Sequence, residues 1–77
     1  MTSLSITHSQ IPAIGSQVFS GIVWLQKLDL SWNAISQLDI EGFRGLFALK
    51  ALHLDHNVIT SIPSAGFKHV PNLETLT

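Results

Sequence analysis

Apolar residues return along this chain on two superposed spacings, a short one of two or three residues and a long one of twenty-four. Leu25, Leu28 and Leu30 open a unit, Ile35, Leu38, Phe43 and Leu46 continue it, and Leu49 starts the series again. Written as columns, the frame is Met1/Leu25/Leu49/Leu73, Leu4/Leu28/Leu52/Leu76, Ile6/Leu30/Leu54, Ile11/Ile35/Ile59, Ile14/Leu38/Ile62, Phe19/Phe43/Phe67 and Ile22/Leu46/Val70. Every position in it is apolar, although the chain as a whole is only 45% apolar. A period of this length marks a stacked repeat, in which no single unit buries its apolar face without a neighbour.

The short spacing sets the local structure. Leu28 and Leu30 are two apart, so both lie on one face of an extended strand. The same reasoning predicts short parallel strands near residues 4–6, 28–30 and 52–54. Asn33 and Asn57 follow where the chain must turn, and a carboxamide there both donates to and accepts from backbone groups that no strand ladder reaches. Ser9 holds that column in the first unit, and a hydroxyl makes fewer such bonds. Ser9, Asn33 and Asn57 are therefore the expected structural ladder.

These residues carry a resemblance. Leu25-x-x-Leu28-x-Leu30-x-x-Asn33-x-Ile35-x-x-Leu38-x-x-x-x-Phe43-x-x-Leu46 resembles a leucine-rich repeat of the 24-residue typical kind. It recurs from Leu49 to Val70 and, less faithfully, from Met1 to Ile22. The Phe column and the Ile62-Pro63 step are similar to repeats of animal extracellular proteins. The resemblance implies an α/β-type solenoid, with a short parallel β-sheet on its concave face and irregular return paths on its convex face. The units are 1–24, 25–48 and 49–72, and 73–77 begins a fourth. Leu4, Ile6, Leu73 and Leu76 follow the interior frame, whereas terminal repeats normally present a polar outer face. The expectation is a single uncapped segment of a longer array, covered at both ends by neighbouring repeats.

Charged residues are 12% of the chain, about half the usual share, which suits a slice with covered ends. The net charge is −1 and the four Lys and Arg form no stripe, which argues against a nucleic-acid partner. No leader and no membrane span are read from the sequence. Cysteine is absent; proteins resembling this one usually keep cysteines in their caps, so the count does not decide the compartment.

Function is expected where side chains alternate outward from the strands. The outward columns are Ser3/Lys27/Ala51/Thr75, Ser5/Asp29/His53/Thr77 and Thr7/Ser31/Asp55, with His8/Trp32/His56 at the strand ends. Strands pack about 4.8 Å apart, so the last column predicts an aromatic row. An open indole on a rigid sheet is a common interface anchor; the competing role for Trp32 is to fold down over the Asn33 turn. The candidate binding residues are His8, Lys27, Asp29, Trp32, His53, Asp55 and His56. The histidines could also make binding sensitive to pH. A second candidate surface is Val23-Trp24 with Phe47-Ala48, where the bland reading has Trp24 and Phe47 covering each other.

Metal binding is not expected, because His53, Asp29 and Asp55 do not form a dedicated cluster and His69 belongs to the return path. Nor is catalysis or a cofactor, since no nucleophile and base meet in a closed pocket. The resemblance implies recognition of a protein ligand by the concave face of an extracellular receptor, adhesion or matrix protein. The alternatives are architectural spacer repeats and an intracellular scaffold.

Overall fold

A computed structural model describes residues 2–39, 41–61 and 67–77. Six short strands form: β1 (Ser3–Ser5), β2 (Ala13–Ile14), β3 (Lys27–Asp29), β4 (Gln37–Leu38), β5 (Ala51–His53) and β6 (Thr75–Leu76). Strands β1, β3, β5 and β6 lie side by side in one parallel sheet. Their register pairs Leu4 with Leu28, Leu28 with Leu52 and Leu52 with Leu76, the columns of the apolar frame. The strands begin one residue before the expected positions. Backbone bonding nevertheless runs on past them, with the N–H groups of Ile6, Leu30 and Leu54 donating to Asp29, His53 and Thr77 at 2.8–2.9 Å.

A second parallel pair, β2 with β4, was not expected from the sequence. It joins Ala13 to Gln37 and Ile14 to Leu38 on the return path. Among the described residues there is no helix, so only the β part of the expected α/β-type architecture is present there. The return paths close instead through successive turns. Ile22, Leu46 and Val70 donate to the carbonyls of Phe19, Phe43 and Phe67, and Leu25, Leu49 and Leu73 then donate to Ile22, Leu46 and Val70. In the first two repeats the third turn residue is glycine, Gly21 at φ 90° and Gly45 at φ 98°, as a type II turn requires. The third repeat has His69 there, outside the left-handed region.

The core is densest in the second repeat and at the start of the third. Leu25, Leu28, Leu30, Ile35, Leu46, Leu49 and Leu52 are fully buried, whereas Leu4, Ile6, Ile11, Ile22 and Leu73 are only partly covered. This gradient follows from stacking, because β3 and β5 have a strand on either side whereas β1 and β6 are the outer strands of the sheet. The rings of Phe19, Phe43 and Phe67 stack in a second column at centroid separations of 6.3 and 6.1 Å. Met1, Ile40, Ile62 and the Ile62-Pro63 step lie outside the described residues.

The Asn column ties the repeats together. Asn33 donates through Nδ2 to the carbonyls of Ile6 and Leu30, at 2.8 and 2.9 Å, while its Oδ1 accepts from the N–H of Ser9 at 2.9 Å. Asn57 repeats the motif one unit on, donating to Leu30 and Leu54 and accepting from Ile35, each at 3.0 Å. One amide thus serves two repeats. Ser9 makes only a local bond from its hydroxyl, to the carbonyl of Thr7. On the return path His69 Nε2 lies 2.6 Å from Glu41 Oε2, both atoms are shielded from solvent, and neither has a partner with full hydrogen-bond geometry among the described residues. The contact joins the second and third repeats, and Arg44 lies 3.4 Å from the other Glu41 oxygen.

Two substitutions test this scheme. Asn57→Ala leaves backbone groups of two repeats unpaired and lowers stability by about 1–3 kcal/mol in urea denaturation; equal unfolding midpoints would show that the amide is not structural. Gly45→Ala forces a side chain into a left-handed turn and costs about 1–2 kcal/mol, whereas Gly15→Ala, at a glycine outside that region, has a much smaller effect in the same assay.

Candidate functional site

Beyond β1, β3 and β5 the chain leaves the sheet through a left-handed residue. His8, Trp32 and His56 have φ of 55°, 60° and 59°. A residue with a Cβ pays roughly 1–2 kcal/mol for that conformation, yet this column holds two histidines and a tryptophan. The turn is held from both sides: Asn33 accepts from the N–H of Ser9, the residue after His8, and the N–H groups of His8 and Trp32 donate to the carbonyls of Trp32 and Asp55 at 2.8 and 3.1 Å.

The three rings stack across the repeats. Trp32 and His56 lie 3.8 Å apart between centroids with planes 11° from parallel, and His8 and Trp32 lie 5.5 Å apart at 15°. Trp32 remains 50% exposed. With an imidazole on either side, the indole offers its rim to solvent and keeps its faces within the row. A hollow of about 260 Å³ beside it is lined by His8, Gln10, Trp32, Asn33 and Ala34.

The charged candidates are arranged unequally. Lys27 is exposed on β3. Asp29, on the same strand, is half-buried, and its Oδ1 accepts from the Ser31 hydroxyl at 2.6 Å and the Ser31 N–H at 3.0 Å. The Ser31 hydroxyl, then its N–H, hold the Asp29 carboxyl below its ordinary value; the charges of His53 and Lys27 add to this and burial opposes it. Ser31 itself, expected to face outward, is 7% exposed. The Asp-x-Ser spacing is a local side-chain turn, and it closes the strand end from within.

His53, Asp55 and His56 come together with Thr77, which was not among the candidates. The Thr77 hydroxyl donates to Asp55 Oδ1 at 3.0 Å and lies 2.8 Å from His53 Nδ1. A hydroxyl that gives its proton to a carboxylate can only accept from the ring, so His53 carries its proton on Nδ1. The other Asp55 oxygen lies 3.6 Å from His56 Nε2. Asp29 pairs with His53 across the sheet. Thr77 stands twenty-four residues after His53, so the repeat period would have identified it as a neighbour.

Among the described residues no three His, Asp or Glu side chains converge on a point that could hold a metal ion. Val23, Trp24 and Phe47 are about half exposed, and neither Trp24 nor Phe47 enters an aromatic stack among the described residues. Each of these two residues leaves about half of its surface open. No helix of the described residues is long and apolar enough to cross a membrane.

The frame, the parallel register and the Asn bonding agree with what the comparisons find. A family model described as leucine rich repeat matches residues 1–59 and again residues 23–77. The chain belongs to the leucine rich repeat family. Repeats of this family are in general modules of protein–protein interaction without enzymatic activity. No curated protein matches the chain.

The Asp29–Ser31 contact gives a pH prediction. Ser31→Ala removes the hydroxyl that contributes most to holding Asp29 ionised, so the Asp29 carboxyl titrates at higher pH, as read by carboxyl NMR shifts. Because the folded value is depressed, its stabilisation is present above the unfolded carboxylate pKa of about 3.9 and is lost as pH falls through the folded value. Ser31→Ala therefore weakens the acid side of the stability profile; superimposable acid unfolding curves would show that the contact does not contribute.

Proposed function

We propose that this chain is a protein-recognition segment of an extracellular leucine-rich repeat receptor, adhesion or matrix protein, built from repeats of the 24-residue typical kind. In this reading the repeats continue beyond the segment as a solenoid, and the four-stranded sheet lies on its concave side. A protein ligand docks across the strand ends. Trp32 is the anchor, His8 and His56 buttress it, and Lys27, Asp29, His53 and Asp55 tune the choice of partner.

One observation carries the proposal: a half-exposed tryptophan sits in a left-handed turn. The position costs backbone free energy and adds little to the core, and strain retained at an exposed aromatic side chain points to use rather than packing. The same row also favours a second reading, because its stacks connect successive repeats and could serve a purely architectural spacer.

Trp32→Asn separates the two. Asparagine tolerates the left-handed turn better than other residues, which offsets the lost stacking, so stability changes by less than about 1 kcal/mol. Displayed peptides selected for binding to the parent chain are then lost on Trp32→Asn and kept on Gln37→Ala, a return-path control. Binders indifferent to Trp32, together with a clear loss of stability in Trp32→Asn, would favour the spacer.

A further inference from the structure

We infer that the Trp32 face is switched by protons, and that protonation of its histidines makes it a cationic strip that takes an acidic protein segment. This rests on reading the row as a recognition surface and adds its regulation and the chemistry of its partner.

The charge balance of the face is small and its histidine content is large. With neutral imidazoles, Lys27 stands against Asp29 and Asp55, a net charge of −1. Protonation of His8, His53 and His56 takes the same surface to +2. Histidine is the side chain that ordinarily changes charge between about pH 5 and 8, so protons are the strongest electrostatic variable on this surface. The remaining charges do not oppose the change. Lys50 and Glu74 precede β5 and β6 at the far end of the strands and offset each other. Arg44 and His69 each contact Glu41 on the return path, where Asp39 and Lys68 also lie.

Each added proton has a place that leaves the geometry intact. Cationic imidazoles on either side of Trp32 are attracted to the indole faces. His56 also lies 3.6 Å from the carboxylate of Asp55. His53 already donates from Nδ1 to Thr77, so its added proton goes to Nε2 and the chain through Thr77 to Asp55 is kept. It also faces Asp29 across the sheet. Acid therefore changes the charge of the face and not its fold.

The complementary partner is an acidic polypeptide segment. Glutamates, ordinarily titrating near 4.3, stay ionised while histidines protonate. A phosphate backbone fits less well: Asp29 and Asp55 are interleaved with the histidines, and among the described residues Lys27 is the one permanently cationic side chain on the face.

The test uses an alternating Glu–Gly peptide with a fluorescent label, titrated against the chain at about pH 5.5 and about pH 7.5. Binding is expected to tighten on acidification by at least about tenfold, the order produced by one to two added close charges. The triple variant His8→Gln, His53→Gln, His56→Gln binds with nearly the same strength at both pH values. In a Trp24→Phe background the emission of Trp32 is quenched as the imidazoles protonate, and His56→Gln removes most of that step. Absence of binding at acid pH, or tightening that survives the triple substitution, overturns the switch. Equal tightening for a single-stranded oligonucleotide overturns the assignment to an acidic protein segment. Equal binding at both pH values that is lost in Trp32→Asn would leave the recognition surface standing and remove only its proton dependence.

Discussion

The side-chain amides of Asn33 and Asn57 fix the rest of the structure, because each answers hydrogen-bonding groups of two repeats at once. A chain leaving a three-residue strand must turn, and its carbonyls would otherwise be left unpaired near an apolar core. The Asn57 amide takes the Leu54 carbonyl of its own repeat and the Leu30 carbonyl of the one before, and it returns an acceptor to Ile35. The first and second repeats each complete their turn with the amide of the next. The twenty-four-residue register follows, since any slip would separate an amide from its partners and offset every leucine column together.

The same constraint shapes the exposed face. The residue before the Asn column, whose place Ser9 takes in the first repeat, is left-handed in all three repeats, and its side chain stands at the sheet's end. Three times the residue is aromatic. The stacking of Trp32 between His8 and His56 regains part of the backbone cost, so the row is at once a consequence of the turn and a contributor to cohesion between repeats. Dual use of this kind explains why packing alone cannot separate a binding row from a spacer: the discriminating quantity is exposure, which for Trp32 is half of the side chain's surface.

What the sequence made legible is what the period carries. The strand positions, their parallel order, the Phe column and the residues of the aromatic row all follow from columns that recur at a fixed interval. What it hid is local or crosses columns. The two-residue strands at Ala13–Ile14 and Gln37–Leu38 have no alternation to reveal them, and Ala13 and Gln37 are not apolar matches. Ser31 is buried because it caps Asp29 from two residues away, a short-range hydrogen bond that the outward column of the strand pattern conceals. The Glu41–His69 contact joins positions held elsewhere by Gln17 and by Gly21 and Gly45, so repetition gave no cue to it. The exposed Trp24 and Phe47 stand in adjacent columns, and the period alone does not say whether such rings meet.

These exceptions share a cause. A repeat makes its common positions predictable because every copy must satisfy the same neighbours, whereas positions free of that demand are where copies differ. The Gly21/Gly45/His69 column illustrates this. Two copies turn through a left-handed glycine, and the third spends that position on a side chain that reaches the preceding repeat. The His8/Trp32/His56 column is the converse, with one backbone conformation and three side chains of related chemistry. Uniform backbone strain under varied rings places the invariance in the turn and the freedom in the side chain. Recognition in a stacked array would be expected to reside in such a column, where a ring can be exchanged without disturbing the amide beside it.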